Sequence, residues 1–485
     1  LSEKRCCRSD VSPSSTCSWL TVCGLCGVIM DVWSIEMLMG TAPTRLKPDS
    51  CGSIPELLPP GSPEAKRSTG NDDDGEMTSY ETVMNLANTM MGSGVLAVPY
   101  AFGLINYWAL LLLFLVVGLT AFTACLIGEK LKMARCKALG GSQPKSSRDY
   151  TFLADISYGH YGKCVVAVIT ALEVWVAAVT FLVMNGSNIQ GLLGVNEVQA
   201  VLVCTLVSSI MIFIPLRIYA YVSLASLVAL LMASICFLGD LSTIDSKEWK
   251  YPQMQMEPDV WNLFRAYGLF IFCFAGHPCL PALHEGMQHT EKWTGCVSWS
   301  FSIAAVFYLV LGLVTFIVHG TELHPVFTKD MSIAWLKHMT AAFFAVKIQL
   351  TTPVLMRVVL QSMQIWPEGR HVKEFIQNSL PVAFVILLTG TSACFLAGEV
   401  AALASFVGAL LVNLTSIVIP CVMYVRLSVW SQQPGKNKVK LVMCGILVLF
   451  GLITAVVGTY LAVLDMSHWH PEPAKERISP TSVDH

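Results

Sequence analysis

Glu173 and Lys347 stand near the middles of the apolar stretches 164–187 and 335–362. A charge at the centre of an apolar membrane helix costs at least ~2.5–3.5 kcal/mol, so such a residue reads first as functional. A carboxyl can carry a proton, and an ammonium can hold a fixed positive charge beside it. Pairing the two would offset much of the desolvation. Two roles therefore stand side by side, a structural ion pair that locks helices together and a pair that couples proton movement to another event. His277 adds an imidazole able to titrate between pH 5 and 8. A lone histidine before proline is more often a hydrogen-bonded structural residue than a proton site.

The elements that must position these groups are broken in two places. One apolar stretch carries Met91-Gly-Ser-Gly94 and then Pro99; another carries Ala275-Gly-His-Pro278-Cys-Leu-Pro281. Glycine and proline interrupt a membrane helix, and the freed backbone groups survive only where protein or a water-filled cavity satisfies them. The half-helix after Gly92, Ser93 and Gly94 presents free N–H groups and a positive dipole end, suited to a carboxylate. Carbonyls freed around Phe274, Gly276 and His277 suit an ammonium. Asn85 and Asn88 either shape the same pocket or pack as satisfied polar residues.

Composition sets these breaks in a membrane. Of 485 residues, 54% are apolar and 13% charged, about half the ~25% charged share of a soluble domain. Eleven apolar stretches, about 80–104, 106–128, 164–187, 198–216, 218–239, 262–283, 296–319, 335–362, 379–398, 400–424 and 440–464, each approach the length of a span. They are continuously apolar rather than alternating, which predicts helices and not a barrel. The fold expected is an all-α polytopic membrane protein embedded in the lipid bilayer. Residues 1–79, with Pro/Ser/Gly clusters and an acidic run, read as a disordered tail, 80–464 as the membrane domain, and 465–485 as a short second tail. Lysine and arginine concentrate in the loops on the N-terminal side, which places that tail in the cytosol and the C-terminal one opposite. Breaks in spans 1 and 6 lie five spans apart. That spacing predicts two five-helix repeats, inverted because the repeat length is odd, with the binding site between the paired breaks.

Other chemistry is missing. A net charge of −2 excludes a basic nucleic-acid surface. The 17 cysteines are scattered and read as small buried residues; Cys23 and Cys26 have metal-like spacing but no second pair. Trp19–Met30 is too short to span and no small-residue cleavage site follows it. No GxGxxG, GKS/T or HExxH motif occurs, so neither an enzyme nor a cofactor or metal site is expected.

Asn85-Leu-Ala-Asn88-Thr-Met-Met-Gly92-Ser-Gly-Val-Leu-Ala-Val-Pro99-Tyr-Ala101 resembles the first span of the amino acid/auxin permease family. Phe274-Ala-Gly-His-Pro278, Leu280-Pro281 and Glu285-Gly-Met-Gln288 resemble its sixth, and Leu350-Thr-Thr-Pro353 its eighth. The resemblance covers roughly residues 78–470 and implies an inverted-repeat core of ten helices plus one. Glu173 and Lys347 are similar to the mid-membrane pair of vesicular inhibitory amino acid transporters. Gly92-Ser-Gly94 and His277 look more like the sodium-coupled neutral amino acid branch.

The resemblance implies a secondary transporter exchanging protons for small neutral amino acids, GABA- or glycine-like, at an acidic vesicle. Glu173 and Lys347 would then be the coupling residues. The alternative is a sodium- or proton-coupled symporter of a plasma or lysosomal membrane, with Asn85, Asn88 and the Thr351 hydroxyl helping to hold sodium; Lys347 opposes it by repelling a cation. A third reading is an amino acid sensor acting through its N-terminal tail. A channel lacks a ring of charges or a filter loop.

Overall fold

The structure, a computed structural model, describes residues 77–137, 149–213, 216–253, 256–362, 372–430 and 438–467, all within the unit Gly61–His485. The Cys23–Cys26 pair, the Trp19–Met30 patch, the tail before Met77 and the tail after Ser467 lie outside them. The described residues are helical, with one isolated parallel bridge between Met77 and Met287.

Two short helices, α1 (Ser79–Met90) and α2 (Val98–Ile105), flank a 3-10 turn at Ser93–Ala97. Next come α3 (Trp108–Lys137), α4 (Tyr150–Leu193), α5 (Glu197–Met211) and α6 (Leu216–Thr243). A second broken pair follows, α7 (Val260–Cys273) and α8 (Leu280–Glu285), joined through a turn at His277–Cys279. The long helices α9 (Trp293–His319), α10 (Ala334–Ser362) and α11 (Val372–Phe395) precede α12 (Val400–Phe406). Two π-helical turns, Val407–Val412 and Leu414–Val418, lead from α12 into α13 (Ile419–Trp430), and α14 (Lys438–Ser467) closes the order.

Eight of the described segments are long and apolar enough to cross a membrane, nine when α1 and α2, bent by 53°, count as one. α5 and the stretch Leu380–Phe395 are apolar but shorter. The side chains agree with a lipid surround: Leu111, Phe114, Leu206, Ile210, Phe384 and Ile446, on four different apolar helices, are exposed. The continuous segment Val400–Val429 is innermost, with 83% of its most apolar window buried, against 33% for α14.

Polar residues set the helix ends. Thr78 and Glu81 form a reciprocal capping box at α1. Asp149 accepts from Phe152 N at 2.8 Å to start α4, whose 44 residues include a kink at Gly159, φ +69°. Glycine tolerates that backbone, so the helix turns there instead of ending. The expected span 164–187 is thus the inner part of a longer bent helix. The amides leading into α10 are capped from another helix: Asp240, buried near the end of α6, accepts from Ser332 N at 3.1 Å and Ile333 N at 2.7 Å.

Candidate functional site

The two breaks meet. A Cβ on Gly94 would lie 3.0 Å from Cys273 Sγ and 3.3 Å from its Cα, and one on Gly276 would lie 2.9 Å from Thr89 Cγ2. Gly276 also has φ +141°, a conformation closed to most side chains. Absent side chains therefore let the backbone of one broken helix press on the other. Gly92 differs: its nearest neighbours would stand 3.9 Å away. Gly92 precedes the 3-10 turn without a side-chain cap, and Ser93 opens the turn.

Thr89, Met90, Phe274, Gly276, His277 and Phe301 line a narrow apolar pocket between the breaks. Phe274 stacks on Phe301 with centroids 6.0 Å apart and rings 9° from parallel. The His277 ring is buried, with Nε2 3.1 Å from Thr120 O and 3.0 Å from Thr123 Oγ1 on α3. A carbonyl only accepts, so Nε2 carries the hydrogen. His277 is thereby hydrogen-bonded to α3.

Asn85 stays outside this pocket: it is exposed and its Nδ2 donates to Met77 Sδ at 3.5 Å. Asn88 is half-buried on α1 and is not among the residues lining the pocket.

Glu173 and Lys347 do not meet. Glu173 is buried on α4 beside Thr415 of the second π turn, and its Oε2 has no hydrogen-bond partner among the described residues. Tyr150 donates to Thr415 O at 2.6 Å, which ties the start of α4 to the same turn. Lys347 is buried on α10, and its ammonium forms no hydrogen bond or ion pair with a described residue. Thr351 donates to Lys347 O at 2.9 Å and lies 3.3 Å from Ser226 Oγ, a hydroxyl contact between α10 and α6. No ion pair joins them: the Glu173 carboxyl lies beside Thr415 of the second π turn, while α10 packs on α4 and α6.

Two broken helices thus press together, with Glu173 and Lys347 buried on α4 and α10. A family profile described as "Transmembrane amino acid transporter protein" matches residues 75–464. The chain belongs to that family. The transporter is 24% identical over 418 residues to amino acid transporter AVT1I of Arabidopsis thaliana, covering 81% of this chain and 96% of that one. AVT1J of the same plant is 23% identical over 412 residues, covering 81% and 92%. Among solved structures, it is similar to a Na+-coupled sialic acid symporter at 12% identity and TM-score 0.45, covering 82% of this chain and 93% of that one. It is also similar to a manganese transporter of Eremococcus coleocola at 12% and 0.42, covering 82% and 98%. The family expected from the motifs is the family found, and the transporter is an integral membrane protein.

Two parts of this candidate site escaped sequence reasoning. Tyr308 of α9 reaches both breaks, donating to Met90 O at 2.7 Å and lying 3.3 Å from Cys273 O. A tyrosine inside an apolar run was its one visible signal. The π turns beside Glu173 had none, since their residues are those of any apolar helix.

Proposed function

We propose that the transporter moves small neutral amino acids of the GABA or glycine type into acidic vesicles in exchange for protons, by alternating access. The observation that carries the reading is the contact between breaks, Gly94 against Cys273 and Gly276 against Thr89. Half-helix ends converging on one place supply N–H groups for a carboxylate and carbonyls for an ammonium. The pocket has room for about one water molecule, so the helices must separate to admit an amino acid. Eleven spans in a five-plus-five inverted repeat plus one, with both tails placed as the loop charges indicate, would let one repeat rock against the other.

Glu173 is the proposed proton carrier and Lys347 a fixed charge at a distance from it. One pH unit supplies ~1.4 kcal/mol and 100 mV adds ~2.3 kcal/mol per charge, together enough for roughly 500-fold accumulation per proton. A second reading, a sodium- or proton-coupled symporter of neutral amino acids, draws on Gly92-Ser-Gly94 and on the Thr351–Ser226 hydroxyl contact. Uptake of labelled GABA, glycine and alanine into proteoliposomes, with pH and sodium gradients imposed separately, decides between them. Exchange predicts accumulation driven by an acidic lumen and indifferent to sodium. Accumulation that requires sodium at clamped pH moves the protein to the second reading.

A further inference from the structure

A helix leaves its last carbonyls without intrahelical partners. Two helices here end inside the protein, α1 at Met90 and α7 at Cys273. Both ends reach one side chain. Tyr308, fully buried on α9, donates to Met90 O at 2.7 Å and stands 3.3 Å from Cys273 O. Its ring is held by the edge of Phe274, with centroids 5.5 Å apart and planes at 81°. Met90 O also accepts from Gly92 N at 2.7 Å. A hydroxyl has one hydrogen, so Tyr308 gives a full bond to Met90 and only a longer, shared contact to Cys273.

Two half-helix C-termini directed at one point concentrate negative partial charge there. Unwound carbonyls and half-helix ends of this kind are suited to coordinating a small cation. A neutral hydroxyl fills the position instead. It bridges the same two oxygens a cation would bridge, and it brings no charge that must be supplied from solution.

We propose that Tyr308 is a positioning residue that replaces a coupling cation: its hydroxyl holds the two breaks together and makes the transporter insensitive to sodium. This rests on the breaks being the substrate site. Removing the hydroxyl while keeping the ring would leave Met90 O and Cys273 O facing a space of about one oxygen atom, which a sodium ion could occupy only by exchanging water for these carbonyls.

The test uses the full chain purified in detergent, with Tyr308→Phe beside the wild type. Thermal unfolding midpoints are measured in sodium chloride and in choline chloride at equal ionic strength. The wild type should unfold at one temperature in both salts, and Tyr308→Phe should unfold about 2–4 °C higher in sodium. Labelled uptake at clamped pH should become sodium-stimulated in the variant alone. A variant indifferent to the salt overturns the proposal and leaves Tyr308 a plain helix cap; sodium-specific stabilisation of the wild type overturns it as well. If Tyr308→Phe does not fold, Tyr308→Gln, which also offers an oxygen to a cation, is measured with the same two outcomes. The melting arm needs no substrate. Failure to transport amino acids would therefore remove the proposed function while the salt comparison still decides the role of Tyr308.

Discussion

Gly94 lies so close to Cys273 that a side chain of one carbon would stand 3.0 Å from Sγ and 3.3 Å from Cα. Backbone cannot yield as a flexible side chain does, so growth at position 94 drives the two broken helices apart. Overpacking of this kind costs about 1–3 kcal/mol. Gly94→Ala should lower labelled uptake at least about tenfold, and Gly94→Leu should abolish it, with both variants eluting as folded protein. Gly92→Ala, with nearest neighbours at 3.9 Å, should retain most uptake. Equal damage at both positions would remove the contact between breaks from the explanation.

Glu173→Gln keeps shape and hydrogen-bonding capacity but cannot titrate. Exchange between equal pools of labelled and unlabelled amino acid should persist, while accumulation driven by a pH gradient should be lost. If the variant accumulates substrate like the wild type, Glu173 is not the proton carrier.

Because Glu173 and Lys347 form no ion pair, their substitutions should act independently on stability. In a double-mutant cycle with Glu173→Gln and Lys347→Gln, the coupling energy should stay within about 0.5 kcal/mol. Lys347→Met replaces a buried ammonium without a partner among the described residues by an apolar chain of similar length, and should raise the melting midpoint by about 2 °C or more. A large coupling energy would place the two side chains in contact in solution.

Outside the spans, burial followed by the negative charges of Asp465 and Glu197 holds Glu399 above the usual carboxylate range. The protonated form is the one the fold prefers. Its contribution is present at low pH and is lost as pH rises from the ordinary glutamate range through the raised value. Glu399→Gln should therefore raise the midpoint at pH 7, by no more than about 2 °C given its partial exposure, and leave it unchanged near pH 4. The melting curves of both proteins across that range check the sign.

His277 donates to Thr120 O, and an amide nitrogen can do the same. His277→Gln should keep the pH profile of uptake and fall mainly in stability. A shifted profile would return His277 to the proton path.

The breaks were legible because glycine and proline leave the same mark in sequence and backbone: Gly92–Gly94 and Gly276–Pro278 are where α1 and α7 stop. Buried charges were legible as types, since Glu173 and Lys347 interrupt apolar runs. Their separation was not, because it depends on how α4 and α10 are rotated about their axes, and apolar residues cover most of both helices. Asn85 looked like a pocket residue by proximity in sequence, yet its turn of α1 faces Met77. The length of α4 was hidden by Gly159, which bends the chain without ending the helix. Tyr308 was hidden because its role consists of carbonyls from two other helices, which no spacing within α9 records.

Asp240 accepts from the amides of Ser332 and Ile333, on a helix completed long before them. The start of α10 thus has its cap made in advance on another segment, and α10 carries Lys347. During synthesis, the ribosome delivers α6 first, and the N-terminal end of α10 can settle only against an α6 already in place. Assembly acquires a direction from this: the helix bearing the lysine docks onto a finished surface rather than forming alone. Damage at Asp240 would therefore show first in the yield of correctly inserted protein, before any change in what the assembled molecules do.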